Sequence, residues 1–337
     1  GLEDILDNAE KHWLKSRAQL RELAKTVTEY GESIYIGSER LEAQLDALIK
    51  QTESLKGDPK EPTVTFNSVN KFNIDGILTC KKADILNDQV INTIAFFDKV
   101  YLPLMEDFLK LLDNLSFDPE DLEKIALDFS RFSGGRWFKR GIKVGHDKRF
   151  REDADILRTK PAQGNKALYY AGPTPDHTTS IRQWSFIVNL FKGISLKYFM
   201  VPDLKKLSPD DDTIDVDSPM NLKQRLNYLR KLNQLILKRR MDVTRVVGGL
   251  KKIDIAIDKL RTKARVADKA KMDDLPHQAV GRGVPTANEV INSVTGMVGH
   301  VHRLTTDYHN ALATQLRTMG ALTYVIQTEI ECYNLML

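Results

Sequence analysis

Seven histidines, two cysteines and a run of aspartates are the side chains through which this chain could do chemistry. On a helix, His300 and His302 point apart, whereas His302 and His309, seven residues apart, share a face. A helical zinc site takes an i, i+4 pair and further ligands, which this spacing does not supply. His12, His146, His177 and His277 are scattered, and His146-Asp147 in a basic loop makes no site by itself. All are expected to be solvated or hydrogen-bonded. Cys80 and Cys332 are too few for a disulfide scaffold or a four-cysteine zinc site and are expected as buried free thiols of a reducing compartment. Asp210-Asp211-Asp212 with Asp215 and Asp217 has the composition of a calcium loop. It lacks the central glycine and closing glutamate, so it reads as a solvated loop capping a helix. No nucleophile elbow, Walker loop or dinucleotide fingerprint occurs, and Gly134, Gly135, Gly141 and Gly145 do not form a phosphate cradle. No catalytic residue, metal or cofactor is expected. An enzymatic site, if there were one, would belong to the stretch 133–205.

Charge is the stronger signal. The 337 residues carry a formal net charge of only +4. That value hides a cancellation. Pro219 to Lys271 holds 16 Lys and Arg against 4 Asp, a net of +12. Residues 134–172 hold 10 basic and 4 acidic residues, a net of +6, while residues 1–62 hold 9 basic and 13 acidic, a net of −4. The candidate basic surface is Lys238, Arg239, Arg240, Arg245, Lys251 and Lys252 on the late helix, with Arg136, Lys139 and Arg140 in the middle. Two readings stand. The charge is a solvated helix face matched in part by acidic helices of the same chain, or it is a surface for nucleic-acid phosphates or anionic lipid. Arg136-Trp137-Phe138-Lys139-Arg140 likewise fits base stacking between cations, or a strand with its rings in the core and its cations in water.

The elements that must position these residues are mostly helical. Residues 2–30 show apolar positions at helical spacing, and Gly31 and Gly37 interrupt them. Ser38 then reads as the cap of a second helix to about Lys56. Gly57, Pro59 and Pro62 end it, and residues 63–80 alternate like a short hairpin. Residues 82–115 are a strongly apolar helix that Pro103 should kink. Asp118-Pro119 opens a short helix to Phe132. Residues 133–217 read as a small mixed or β-containing module followed by the acidic loop. Ser218-Pro219 opens a helix to about Arg265, with Gly248-Gly249 in its middle. After a linker at 266–285, Thr286-x-x-Glu289 is a capping box for a last helix. That helix steps by fours and threes until a stutter at Tyr308. The two late helices, each roughly 70 Å long at the helix rise, predict an antiparallel pair. The fold expected is mainly α: an elongated bundle of long antiparallel helices with a small inserted module. Its regions are 1–132, 133–217 and 218–337. No apolar run reaches the roughly 18–20 residues of a membrane span.

The chain starts at Gly1, and Leu2-Glu3-Asp4-Ile5 is polar and helical rather than a signal peptide. Its start is either a trimmed end or simply where the numbering begins. In style over its whole length, the chain resembles the internal head and virion structural proteins of giant tailed bacteriophages. That resemblance implies a long, charged, helical, non-enzymatic protein, trimmed by a prohead protease that cuts after small-x-Glu. Ala287-Asn288-Glu289 also fits that cleavage pattern but serves as part of the capping box. The expectation is a virion structural protein that packs against capsid or other virion proteins, sister copies or packaged DNA. The alternatives are a cytoplasmic protein of another class: a crescent-shaped membrane-binding dimer or a sequence-independent nucleic-acid binder.

Overall fold

A computed structural model describes residues 2–67, 69–174, 183–208, 212–266 and 284–334. Gly1, His177, His277, Pro175, Asp176, Asp210, Asp211 and all but the ends of the 266–285 linker lie outside the described residues.

Four rods run side by side. The first is α1, Leu2–Ser54. The second is α2, Asn87–Phe96, continued through a wide π turn at Phe97–Tyr101 into α3, Leu102–Asn114. The third is α6, Pro219–Leu237, followed by α7, Met241–Val266. The fourth is α8, Ala287–Asn334. Cross-links fix their directions. Tyr30 meets Asn310 and Gln44 meets Gln327, so α1 and α8 run parallel. Arg17 meets Asp254 and Lys223 meets Glu53, so α6–α7 runs antiparallel to α1. Gln315 reaches Thr93 while Tyr101 meets Thr305, so α2–α3 is antiparallel to α8. The mainly helical fold and the antiparallel pairing of the late helices are present as expected, with α1 as a further long rod beside both.

Where α1 was expected to break, it continues. Gly31 is a contact residue: a Cβ built there would lie 2.6 Å from Val243 Cγ2, so only glycine lets α1 and α7 approach this closely. Ser38 is no helix cap. It is buried, and its hydroxyl donates to Asn233 Oδ1 on α6 at 2.5 Å. Burial of the apolar stripe from Trp13 to Leu48 outweighs about 1 kcal/mol of propensity lost per glycine.

Pro103 sits in the first turn of α3, and the helix widens just before it. A proline has no N–H for the preceding turn, which relaxes that turn. The helix expected to reach Phe132 is short, α4 at Pro119–Lys124, with Asp118 Oδ1 accepting from Glu120 N. Within 63–80, β2 (Asn73–Ile74) pairs with β3 (Ile77–Leu78) around Asp75 and Gly76, both at positive φ. The preceding β1 (Thr63–Thr65) pairs instead with distant β8 (Thr213–Asp215).

The middle module is an antiparallel sheet in the order β4 (Ile142–Val144), β5 (Asp155–Arg158), β6 (Lys166–Gly172), β7 (Ser195–Met200). Helix α5, Trp184–Gly193, joins the last two strands. One sheet face adds Leu168, Tyr170 and Leu196 to the main core. The opposite face has its own small core of Ile156, Ala167, Tyr169, Ala171 and Val201. Lys197 to Asp307 at 2.6 Å and Trp184 Nε1 to Ser293 Oγ at 3.0 Å fasten the module to α8.

Candidate anion-binding face on the helical rods

Helix α6 opens as the sequence implies, with Pro219 in its first turn and the Ser218 hydroxyl accepting from Asn221 N at 3.4 Å. The expected continuous helix to Arg265 does not form. The backbone turns at Lys238-Arg239-Arg240, while Gly248 and Gly249 sit inside α7. Gly249 backs onto the Met105 side chain, where a Cβ would come within 2.5 Å of Cε. The heptad register nevertheless passes through the break: Leu222, Leu229, Ile236, Val243, Leu250, Ile257 and Ala264 are all buried.

Arg239 explains the break. Its guanidinium turns inward to Asp98 at 2.5 Å and Asp242 at 2.7 Å and lies over the Phe97 ring. The Tyr35 hydroxyl donates to its carbonyl, and the Tyr308 hydroxyl donates to Asp242. The π turn, the α6–α7 break and the stutter at Tyr308 thus meet in one layer, with the Tyr308 and Phe97 rings 4.8 Å apart. Burial raises the Asp242 carboxyl above its ordinary range, and Arg239 opposes that rise. Arg239 is therefore part of a buried network and not of the exposed basic surface. Its inward pull was legible only as an acidic residue, Asp98, stranded in an apolar helix.

Much of the remaining charge on this rod is matched along α1. Arg230 meets Glu42 and Asp46, Arg240 meets Glu39, and Arg261 meets Glu10 at 3.5 Å. At the far end Arg225 meets Asp217 and the fully buried Glu329. Burial raises the Glu329 carboxyl, and Arg225 opposes this. Asp217, read from sequence as part of a solvated loop, is thereby a structural anchor that also accepts from Lys81 at 2.8 Å.

What is left is ordered. Lys231, Lys238, Lys252 and Lys259 are exposed, and no carboxylate pairs with them among the described residues; the same holds for Lys251. Arg245, 56% exposed, lies 3.6 Å from Asp242. Residues 231, 238, 245, 252 and 259 are seven apart, so they form one stripe two residues on from the buried heptad position. At the helix rise that stripe is roughly 40 Å long. Lys231 and Lys259 lie outside the basic clusters that stand out in the sequence, although their seven-residue spacing is visible there.

The aromatic-basic segment divides cleanly. Phe138 is buried, and Trp137 packs 4.6 Å from Tyr170 and 6.2 Å from Phe96. The Asn92 side chain holds Lys139 by both its N–H and its carbonyl. Arg136, Lys139 and Arg140 point outward, Arg140 near Asp88 at 3.4 Å. The rings belong to the core and are not free to stack on bases.

His300 and His309 are buried and His302 is exposed, so they do not converge. Burial, reinforced by Arg303, pulls His300 down to about 3. Among the described residues no group of three or more His, Cys, Asp or Glu is placed to hold a metal ion. Cys80 and Cys332 are free and buried. Among the described residues no helix is long and apolar enough to cross a membrane.

A family model describing phiKZ-like phage internal head proteins matches residues 1–328. No curated protein and no solved structure matches the chain.

Proposed function

The chain belongs to the phiKZ-like phage internal head proteins, and from that premise we propose that it is a non-enzymatic strut whose basic stripe rests on packaged DNA. As a member of that family it is a structural protein of the virion. The expected regions divide the work: 1–132 and 218–337 supply the rods, and 133–217 supplies the module. The observation that carries the reading is the stripe at 231, 238, 245, 252 and 259, whose lysines face solvent without carboxylate partners among the described residues. Other cations of this rod are engaged: Lys223, Arg230, Arg240 and Arg261 with acids of α1, Arg225 with Asp217 and Glu329, and Arg239 with Asp98 and Asp242, so the unmatched lysines stand out as charge held for an outside anion. A stripe of lysines along the rod contacts phosphates but reads no base edges, so binding is independent of sequence.

The test is DNA retention at rising salt. Each phosphate contact contributes about −0.9 to the slope of log affinity against log salt on duplex DNA. Replacing Lys231, Lys252 and Lys259 together by Glu should flatten the slope by about 3. A wild-type affinity indifferent to salt would refute the reading. Co-sedimentation with anionic vesicles, and not with DNA, would favour the membrane alternative.

A further inference from the structure

The outer face of the middle sheet carries a concavity of about 640 Å³, lined in part by His146, Lys148, Arg158, Tyr169 and Pro202. We propose that this concavity and the adjoining edge of β4 bind an extended acidic peptide segment of another virion protein.

Three observations point to that occupant. The first is charge. The one carboxylate in the lining, Asp147, is taken up by Arg149, whose Nη2 donates to it at 2.6 Å. Arg149 also donates to the Met200 carbonyl and lies 4.9 and 4.6 Å over the Tyr169 and Phe199 rings, so it is a fixed wall. Hydrogen bonding to Arg149 lowers the Asp147 carboxyl, which keeps it ionised and occupied. His146 and Lys148 are exposed, and Arg158 spends one nitrogen on the Thr159 carbonyl, leaving other donors of its fork for a ligand. The concavity is thus cationic with an aromatic wall.

The second is the strand. β4 ends the sheet and pairs only with β5 among the described residues, leaving its outer row of backbone donors and acceptors available. Such an edge accepts a further strand, with backbone bonds giving affinity and pockets for alternate side chains giving selectivity. Val144 belongs to both the edge and the concavity. Ile142 and Arg158 are directly paired, so their side chains stand on the same sheet face. A strand added beside β4 would present every second side chain to that face, where an acidic one meets Arg158 and Lys148.

The third is shape. A concavity of this size admits side chains and is far narrower than a duplex, whereas the stripe on α6–α7 is an open rod. The site is independent of the DNA contact.

The test uses the full chain and a fluorescein-labelled octapeptide of alternating Glu and Val, followed by fluorescence anisotropy at low salt. Saturable binding is expected, with no binding of the matching Lys-Val octapeptide. Arg158→Glu should weaken binding at least about tenfold. Lys148→Glu, on an exposed side chain, should weaken it in a protein whose melting temperature is unchanged. Amide exchange at Ile142–Val144 should slow when peptide is present. The Lys231, Lys252 and Lys259 charge-reversal variant should bind the peptide as the wild type does, even if it has lost DNA. Equal binding of both octapeptides, or unchanged exchange along β4, overturns the proposal. So does undiminished binding by both Arg158→Glu and Lys148→Glu, or competitive displacement by duplex DNA.

Discussion

Replacing Arg239 by Ala should cost far more than replacing its neighbour Lys238, although sequence alone ranks the two together. The Arg239 side chain is 17% exposed and its partner Asp242 is 2% exposed. Removing the guanidinium leaves Asp242 with the Tyr308 hydroxyl at 3.0 Å and the largely solvated Arg245 at 3.6 Å. Breaking a buried ion pair from one side costs about 3–5 kcal/mol. Asp98 is 37% exposed and can rehydrate, which places this case near 3 kcal/mol. If the bundle melts as one unit, entropy scaling converts that into a fall in Tm of roughly 4 °C. Lys238→Ala on an exposed position should stay within about 0.5 kcal/mol. Differential scanning calorimetry reads both. The pH dependence adds a signature. Asp242 already has a raised carboxyl, and the variant raises it further by removing the opposing cation. An acid with a raised folded value loses stability as pH rises through that value, so the gap between variant and wild type should narrow as pH falls from 7 towards 4. A fall in Tm below about 1 °C, or a gap unchanged by acid, would refute the idea that Arg239 neutralises a buried carboxylate.

Two helical glycines should respond in opposite directions. Gly248→Ala meets open space and should stabilise α7 by about 0.5–1 kcal/mol, whereas Gly31→Val drives into Val243 and should destabilise by about 1–3 kcal/mol; thermal melts separate them. His300 is lowered in the folded state to about 3. Its contribution is present above the unfolded value near 6.5 and is lost as pH falls towards 3. His300→Phe should therefore flatten the dependence of Tm on pH between 6.5 and 4, and an unchanged profile would place the acid sensitivity elsewhere.

Local signals in the chain determined a good deal. Thr286 N donates to Glu289 Oε2 and Glu289 N donates to Thr286 Oγ1, the two reciprocal bonds of the capping box. Ser218-Pro219 and Asp118-Pro119 open helices because caps and prolines act within one turn. The heptad of buried residues along α6–α7 was also in plain sight, since periodicity is a property of neighbours a few positions apart. The net charges of the regions followed from counting. The family resemblance, held on style alone, agrees with the match over residues 1–328.

Tertiary structure decided what each charge and each glycine is for. Gly31 reads as a helix breaker until Val243, more than two hundred positions away, is placed against it. Lys238, Arg239 and Arg240 read as one basic cluster, yet they end respectively in solvent, in a buried network with Asp98 and Asp242, and against Glu39. Trp137 and Phe138 had the composition of a stacking platform, and Tyr170 and Phe96 claim them for the core. β1 found its partner in β8, some 150 residues on. The common reason is range. Capping, turn chemistry and helical period act over a few residues and are written in order along the chain. Ion pairing, close backbone approach and ring packing act through space, and their outcome depends on which rods the fold lays side by side.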